Sequence, residues 1–138
     1  MGRILAIDYG SKRVGIAATD PLRIIANGIT TVHSSELIGW IEKYLQSESV
    51  DIIVVGEPKT LANEKSDSAR YIDPFVIHLR RKFPKIQIER IDERFTSKLA
   101  KQAMLDGGLK KKDRQNKGTV DMVSATILLQ DFMASGRG

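Results

Sequence analysis

The 138-residue sequence predicts an α/β fold whose sheet contains both antiparallel and parallel strands. Three apolar runs, at residues 4–7, 14–19 and 24–32, are separated only by short turns, and this spacing predicts an antiparallel meander. A helical stripe of apolar residues between 37 and 45 follows, and residues 50–56 then form another apolar strand. A helix between two such strands is typical of parallel pairing, so the sheet is expected to be mixed.

The first strand is expected to end in a candidate functional carboxylate. Residues 4–7 are all apolar, which favours a strand that is buried on both faces. Asp8 is the first polar residue after this run, and Gly10 permits the positive φ of a tight turn. An aspartate at this place can also be a turn former that bonds its own backbone. The functional interpretation is favoured because two more carboxylates occupy comparable places later in the chain.

The remaining segments continue the succession of strands and helices. Asn27-Gly28 predicts a bulge or bend in the third strand, and Ser34 or Ser35 is expected to cap the helix that follows. Pro74 interrupts the next helical segment, so that helix is expected to begin late or to kink. The pattern then predicts a strand at 86–91, a helix from about 96 to 105 and a last helix from about 118 to 133.

Several side chains are assigned to packing or to the surface. Trp40 and Tyr44 lie on a helical stripe and are expected to pack against the core rather than to stack on bases. His33 and His78 belong to no motif and are expected at the surface. The inner face of the last helix is expected to consist of six apolar residues, namely Val120, Val123, Ala125, Ile127, Leu128 and Phe132.

Composition limits the classes of protein to which the chain can belong. With 41% hydrophobic residues, residues 1–138 are expected to form one globular domain with its own core. The absence of cysteine excludes disulfides and thiolate metal sites. No apolar run approaches the roughly 20 residues that a membrane span needs, so a soluble cytoplasmic protein without membrane contact is expected. Lys and Arg number 22 against 17 acidic residues, a net charge of +5 that favours polyanionic partners.

Three carboxylates suggest a metal site. Asp8 and Glu93 follow predicted strands, and Asp121 lies near the start of the last predicted helix. Neighbouring carboxylates repel one another unless a cation neutralises them. Hard divalent ions such as Mg²⁺ take oxygen ligands, and two ions about 3.5–4 Å apart can clamp a phosphodiester. The sequence therefore suggests an all-oxygen site for Mg²⁺, in which Mn²⁺ is expected to substitute.

Four motifs in order resemble those of the YqgF family, also called RuvX. They are IDYGSKRVG at 7–15, VGEP at 55–58, DERFTS at 92–97 and NKGTVDMVSA at 116–125, and the resemblance extends over essentially the whole chain. It implies a ribonuclease H-like fold with a mixed five-stranded sheet, three antiparallel strands first and then parallel ones, and helices on both faces. It also implies a Mg²⁺-dependent nuclease, linked both to Holliday-junction resolution and to maturation of the small-subunit ribosomal RNA precursor.

The resemblance assigns roles to individual residues. Asp8, Glu93 and Asp121 match the family's catalytic and metal-binding carboxylates. Arg13 and Arg94 match family arginines, which are suited to pair with phosphate or to orient the carboxylates.

One position departs from the family pattern. Most members carry leucine between the glycine and the proline of the second motif, whereas this chain has Glu57. In the related RuvC resolvases a catalytic carboxylate lies near the end of the corresponding strand. Glu57 is therefore an alternative to Glu93 as a ligand, and Glu93 is preferred because it belongs to the family's own motif.

A cationic stretch between 110 and 117 is the expected phosphate-binding segment. It contains Lys110, Lys111, Lys112, Arg114 and Lys117 and has no apolar residue. Such a run can be only a solvated loop, but its end lies close in sequence to the motif that holds the third carboxylate. Contact with the nucleic-acid backbone is the preferred interpretation.

The favoured function is thus a nuclease acting on structured nucleic acid, with the ribosomal RNA precursor as substrate. The alternatives are a Holliday-junction resolvase on branched DNA and a non-catalytic binding protein associated with nucleic acid or ribosomes. Phosphotransfer is a third class, because Asp-x-Gly-Ser hairpins also open sugar kinases, but those need a second domain that this chain has no room for. The protein is expected to be a monomer or a weak homodimer.

Overall fold

Five strands form one mixed sheet within the described residues of the computed structural model. The structure describes residues 2–9, 12–57, 69–92 and 117–134, and within these ranges it does not describe the side chains at 57, 69–71, 92 and 117–121. The strands are β1 (Arg3–Tyr9), β2 (Arg13–Thr19), β3 (Ala26–His33), β4 (Val50–Glu57) and β5 (Gln87–Asp92). Their order is β3-β2-β1-β4-β5. β1, β2 and β3 pair antiparallel, whereas β4 is parallel to β1 and β5 is parallel to β4. The predicted mixed sheet with an antiparallel start is confirmed.

Helices cover both faces of the sheet, as expected. A 3₁₀ turn (Ser34–Glu36) leads into α1 (Leu37–Ser47), and the other described helices are α2 (Ala69–Lys82) and α3 (Lys117–Ala134). The cores on the two faces are separate: α1 and α2 pack on one face and α3 packs on the other. None of these helices is long and apolar enough to cross a membrane. The helix predicted at 96–105 lies outside the described residues.

The central position of β1 explains its uninterrupted apolar run. Leu5 and Ile7 pack on the side of α1 and α2, whereas Ile4 and Ala6 pack on the side of α3, and all four are fully buried. Alternation therefore places apolar side chains in both cores, as the sequence predicted. Asp8 is the first half-buried residue of the strand after this run.

The start of α1 corrects the prediction that Ser34 or Ser35 caps it. Both serines belong to the 3₁₀ turn, and α1 itself begins after Glu36, which makes no side-chain capping bond. Instead, the backbone N–H of Ser35 donates to His33 Nδ1 over 3.1 Å. The extra turn carries the hydroxyls away from the first turn of the α-helix, and sequence spacing alone does not reveal such a turn.

The aromatic residues of α1 take part in packing, as expected. The rings of Trp40 and Tyr44 stack with centroids 5.0 Å apart, and both are half-buried against the core beneath α1 and α2. His33 and His78 are exposed, which confirms their predicted placement.

Two further predictions about helices need correction. α2 runs without a break from Ala69 through Pro74 to Lys82, so its late start is wrong. On α3, Leu129 is fully buried although it was not assigned to the inner face, whereas Val123 and Ile127 are only half-buried. Apolar residues occupy much of the circumference of α3, and the sequence therefore did not define which stripe packs against the sheet.

The predicted irregularity in the third strand is confirmed. Ile16 pairs with Thr30 and Ala17 pairs with Gly28, so Ile29 is an extra residue on β3. Gly28 itself lies directly beneath α3, because a Cβ at this position would stand 2.7 Å from the Cγ of Met122. The absence of a side chain at 28 lets α3 pack closely on the edge strand.

Candidate active site at the carboxyl edge of the sheet

The carboxyl ends of three parallel strands meet at one edge of the sheet. β1 ends with Asp8 and Tyr9, β4 ends with Glu57, and β5 ends with Asp92, which is the register partner of Glu57. β2 runs antiparallel to β1, so its first residue, Arg13, lies at the same edge. In open α/β sheets, ligands bind outside the carboxyl ends of the strands. This edge is therefore the candidate active site.

Asp8 lies on the α3 face of the sheet at this edge. It follows the alternation of Ile4 and Ala6, both of which pack against α3. Its cross-strand partner on β2 is Gly15, which has no side chain to cover the carboxylate. The half-buried Asp8 thus lies where the apolar core ends, opposite a residue without a side chain.

The structure brings α3 to the same face, but it does not test the predicted trio of carboxylates. Asp121 lies in the second turn of α3, and its side chain is outside the described part. Glu93 directly follows the last residue of β5 and is also outside the described part. Among the residues that the structure describes, no group of three potential ligands forms a metal site. The trio remains a prediction.

Tyr9 anchors the end of β1 on the opposite face. Its ring stacks on Phe75 of α2, with centroids 4.6 Å apart and planes inclined by 23°. Burial raises the pKa of the Tyr9 hydroxyl, so this group is neutral at physiological pH. Asp8 and Tyr9, neighbours in sequence, therefore have different tasks, one at the candidate site and one in holding the strand to α2.

Arg90 is a residue that sequence reasoning did not single out. Its guanidinium lies between α2 and the end of β4: Nη1 is 3.4 Å from Asp73 Oδ1, and Nη2 donates to the Gly56 carbonyl over 3.5 Å. The alternation of side chains along β5 could have identified it from the sequence. Ile88 is buried against α2, and position 90, two residues on, lies on the same face yet carries a charge.

The other predicted site residues are described only in part. Arg13 is exposed at the start of β2. Lys117 is the first residue of α3, and Glu57 is the last residue of β4; their side chains are not described. The remaining predicted nucleic-acid contacts, Arg94, Lys110, Lys111, Lys112 and Arg114, lie outside the described residues.

Comparison with known proteins agrees with this fold. T. thermophilus RuvC, solved in complex with a Holliday junction substrate, superposes with a TM-score of 0.55 at 16% identity, over 99% of this chain and 96% of that one. The Fowlpox virus resolvase, solved with Holliday junction DNA, also gives 0.55, at 12% identity and 99% coverage of both chains. The fold is therefore the ribonuclease H-like fold of these resolvases.

Sequence relatives define the family within that fold. The RuvX family, described as "Holliday junction resolvase", matches residues 2–135. A protein of Phocaeicola vulgatus named "Putative pre-16S rRNA nuclease" is 60% identical over 135 residues, which are 98% of this chain and 97% of that protein. A protein of the same name from Flavobacterium johnsoniae is 52% identical over 99% of both chains. The chain belongs to the RuvX family.

Proposed function

We propose that this protein is a nuclease that hydrolyses phosphodiester bonds in structured nucleic acid, and that its substrate is the precursor of the small-subunit ribosomal RNA. The observation that carries the proposal is the position of Asp8, half-buried at the carboxyl edge beside a glycine, in a chain of the RuvX family. The substrate is inferred from relatives that are 52–60% identical and bear the name of a pre-16S rRNA nuclease.

The predicted donor set, three carboxylates, suits a hard divalent cation. Asp8 supplies carboxylate oxygens at the edge of the core, and the chain has no cysteine to favour a softer metal. Asp8, Glu93 and Asp121 would hold Mg²⁺, or Mn²⁺ in its place, with Glu57 as the alternative to Glu93. A bound ion of this kind lowers the pKa of a water molecule and stabilises a leaving oxygen during phosphodiester hydrolysis.

The protein's own cations would bind the substrate. Arg13 stands exposed at the candidate edge, and Arg94 directly follows Glu93 in sequence. Guanidinium groups suit bidentate contact with phosphate. The cationic stretch from 110 to 117 would add sequence-independent contacts with the backbone of the nucleic acid, because it is rich in lysine and lacks apolar residues.

A panel of substrates tests the proposal. Purified protein is incubated with Mg²⁺ and a precursor RNA that spans the mature ends of the small-subunit RNA, a four-way DNA junction or linear duplex DNA. We expect cleavage of the precursor RNA, with no cleavage in the presence of a chelator. Binding of the RNA without cleavage at any divalent ion concentration would favour the non-catalytic binding protein.

Resolution of Holliday junctions is the second candidate function. The family description and the two resolvases of the same fold favour it. Paired cuts in a four-way junction would need two active sites, and a weak homodimer that forms on the junction would supply them.

Residues 1–138 would act as a single domain, which would be a monomer in the absence of substrate. The RNA substrate of the first proposal implies a cytoplasmic location.

A further inference from the structure

Arg90 lies at the margin of the core, on a side of β5 where an apolar residue would be expected. It lies on the α2 face of β5, in line with the buried Ile88, and its side chain is only 20% exposed. Its Nε is buried and has no hydrogen-bond partner within the described part of the chain. The two contacts of its terminal nitrogens, at 3.4 and 3.5 Å, are at the long end of the hydrogen-bonding range.

Stability alone does not account for this arginine. Burying a charged group costs free energy, and long contacts together with an unpaired Nε recover little of it. Replacing a buried ion pair by apolar residues of similar volume is often neutral or stabilising. Leucine at position 90 would continue the apolar side of β5 towards α2. The arginine is therefore better explained by what its two contacts hold in place.

Those contacts join two elements at the candidate active site. Gly56 directly follows Val55, the register partner of Ile7, just as Asp8 follows Ile7. The carbonyl that Arg90 holds thus belongs to the end of β4 next to Asp8. Its other partner, Asp73, lies in the first half of α2.

We propose that Arg90 is a positioning residue of the nuclease, which fixes the end of β4 and the first half of α2 at the catalytic edge by bridging the Gly56 carbonyl and Asp73. Small displacements of groups next to a reacting centre lower turnover strongly. Removal of a residue that orients metal ligands without binding the metal itself typically lowers metal affinity or activity by about 10–100-fold. The inference rests on the proposed nuclease function for its effect on turnover, but its structural part is independent of that function.

The test compares two leucine variants. Arg90→Leu removes the bridge at the carboxyl edge. Arg3→Leu is the matched control, because Arg3 is 25% exposed and also joins a carboxylate, Glu48 at 3.0 Å, to a backbone carbonyl, that of Thr19 at 2.9 Å, but at the amino edge. We measure the melting temperature, amide hydrogen exchange, the Mn²⁺ concentration for half-maximal thermal stabilisation, and kcat and KM on the RNA substrate.

For Arg90→Leu we expect a melting temperature close to that of wild type, because Asp73 is 36% exposed and water can replace its partner. Amide exchange should be faster at residues 55–57 and 69–74, by about tenfold. We also expect kcat to fall by about 10–100-fold with little change in KM. Arg3→Leu should leave these exchange rates and kcat at the wild-type values. Asp73→Asn should lower kcat less than Arg90→Leu and add little to it, because both substitutions remove the contact between Arg90 and Asp73.

Several results would overturn the inference: wild-type exchange at 55–57 in Arg90→Leu, wild-type kcat despite faster exchange, or an equal loss of kcat in Arg3→Leu. If Arg90→Leu does not fold, Arg90→Lys takes its place, since it keeps the charge and loses the two-pronged contact. A wild-type protein that cleaves no substrate would refute the proposed function. In that case the positioning role would be tested by Mn²⁺ binding alone, and an unchanged Mn²⁺ affinity in Arg90→Leu would refute the positioning role as well.

Discussion

Thr19 is expected to be a strong determinant of stability although it is far from the candidate site. It is fully buried, and its Oγ1 accepts the backbone N–H of Ile4 over 3.0 Å. This bond lies at the point where the register of β1 against β4 shifts, between Arg3 and Ile4. Thr19→Val keeps the shape of the side chain and removes the acceptor. The N–H of Ile4 would then be buried without a hydrogen bond.

An unsatisfied buried donor costs about 1–3 kcal/mol. With an unfolding entropy of about 2.1 cal/mol/K per residue, a chain of this length loses roughly 3 °C of melting temperature per kcal/mol. Thr19→Val should therefore lower the melting temperature by roughly 3–10 °C. Thermal and urea denaturation followed by circular dichroism measure both quantities, and the urea m-value should not change.

Thr126→Val is the matched control for this substitution. Thr126 Oγ1 donates to the carbonyl of Met122 within α3, four residues earlier, where the helix supplies its own hydrogen bonds. Its loss should cost less than about 0.5 kcal/mol. Equal stability of Thr19→Val and wild type would show that the Ile4 amide does not depend on Thr19. Equal destabilisation by both variants would mean that the threonine hydroxyls contribute for some other reason.

Three further predictions concern the edge strand, the turn before it and the cationic stretch. Gly28→Ala should destabilise the fold by about 1–2 kcal/mol in urea titration, because the new Cβ would meet Met122 of α3, and Met122→Ala should relieve much of this cost. The pKa of Asp20 is lowered, mainly by the backbone N–H of Ile25, so its stabilising effect is present above its ordinary pKa of 3.8 and is lost as pH falls through the lowered pKa. Asp20→Asn should therefore be less stable than wild type at pH 7, and the difference should shrink as pH falls below 3.8. Replacing the three lysines at 110–112 by glutamine should reduce the salt dependence of nucleic-acid binding by up to roughly 0.7–0.9 per lost contact, with an unchanged melting temperature.

The order of the sheet was predictable because it follows from local patterns. Fully apolar runs at 4–7 and 52–55 identify strands that are covered on both faces, and short turns leave only antiparallel pairing for the first three strands. Gly28 also marked the irregularity of β3 correctly. These features depend on residues close together in sequence, so the local preferences that produce them can be identified in the sequence itself.

Features set by contacts between distant residues were not predictable. The spacing predicts Ser34 or Ser35 as a cap, but a 3₁₀ turn precedes α1, and the backbone N–H of Ser34 at its start donates to the carbonyl of Lys12 over 3.0 Å. Leu129 could be assigned only once α3 was placed on the sheet. The bridge from Arg90 to Asp73 spans 17 residues and the one to Gly56 spans 34, so no local pattern reveals them.

The candidate site was likewise predictable only in part. Asp8 could be placed from sequence because the end of a buried strand is recognisable, and the structure puts it at the carboxyl edge on the face of α3. Whether Glu93 and Asp121 join it depends on side chains outside the described residues. Their grouping rests on the family motifs and on the meeting of parallel strand ends at one edge.

Cleavage of precursor ribosomal RNA by Asp8→Asn tests the central claim most directly. The variant keeps the size of the side chain and removes its charge, so metal binding should weaken while the fold persists. Asp51→Asn is the control, since Asp51 lies at the start of β4, paired with Arg23 at 3.0 Å. With Mg²⁺ in excess, we expect kcat to fall at least about 100-fold in Asp8→Asn and to stay near wild type in Asp51→Asn. Cleavage by Asp8→Asn at the wild-type rate would contradict the assignment of the active site to this edge of the sheet.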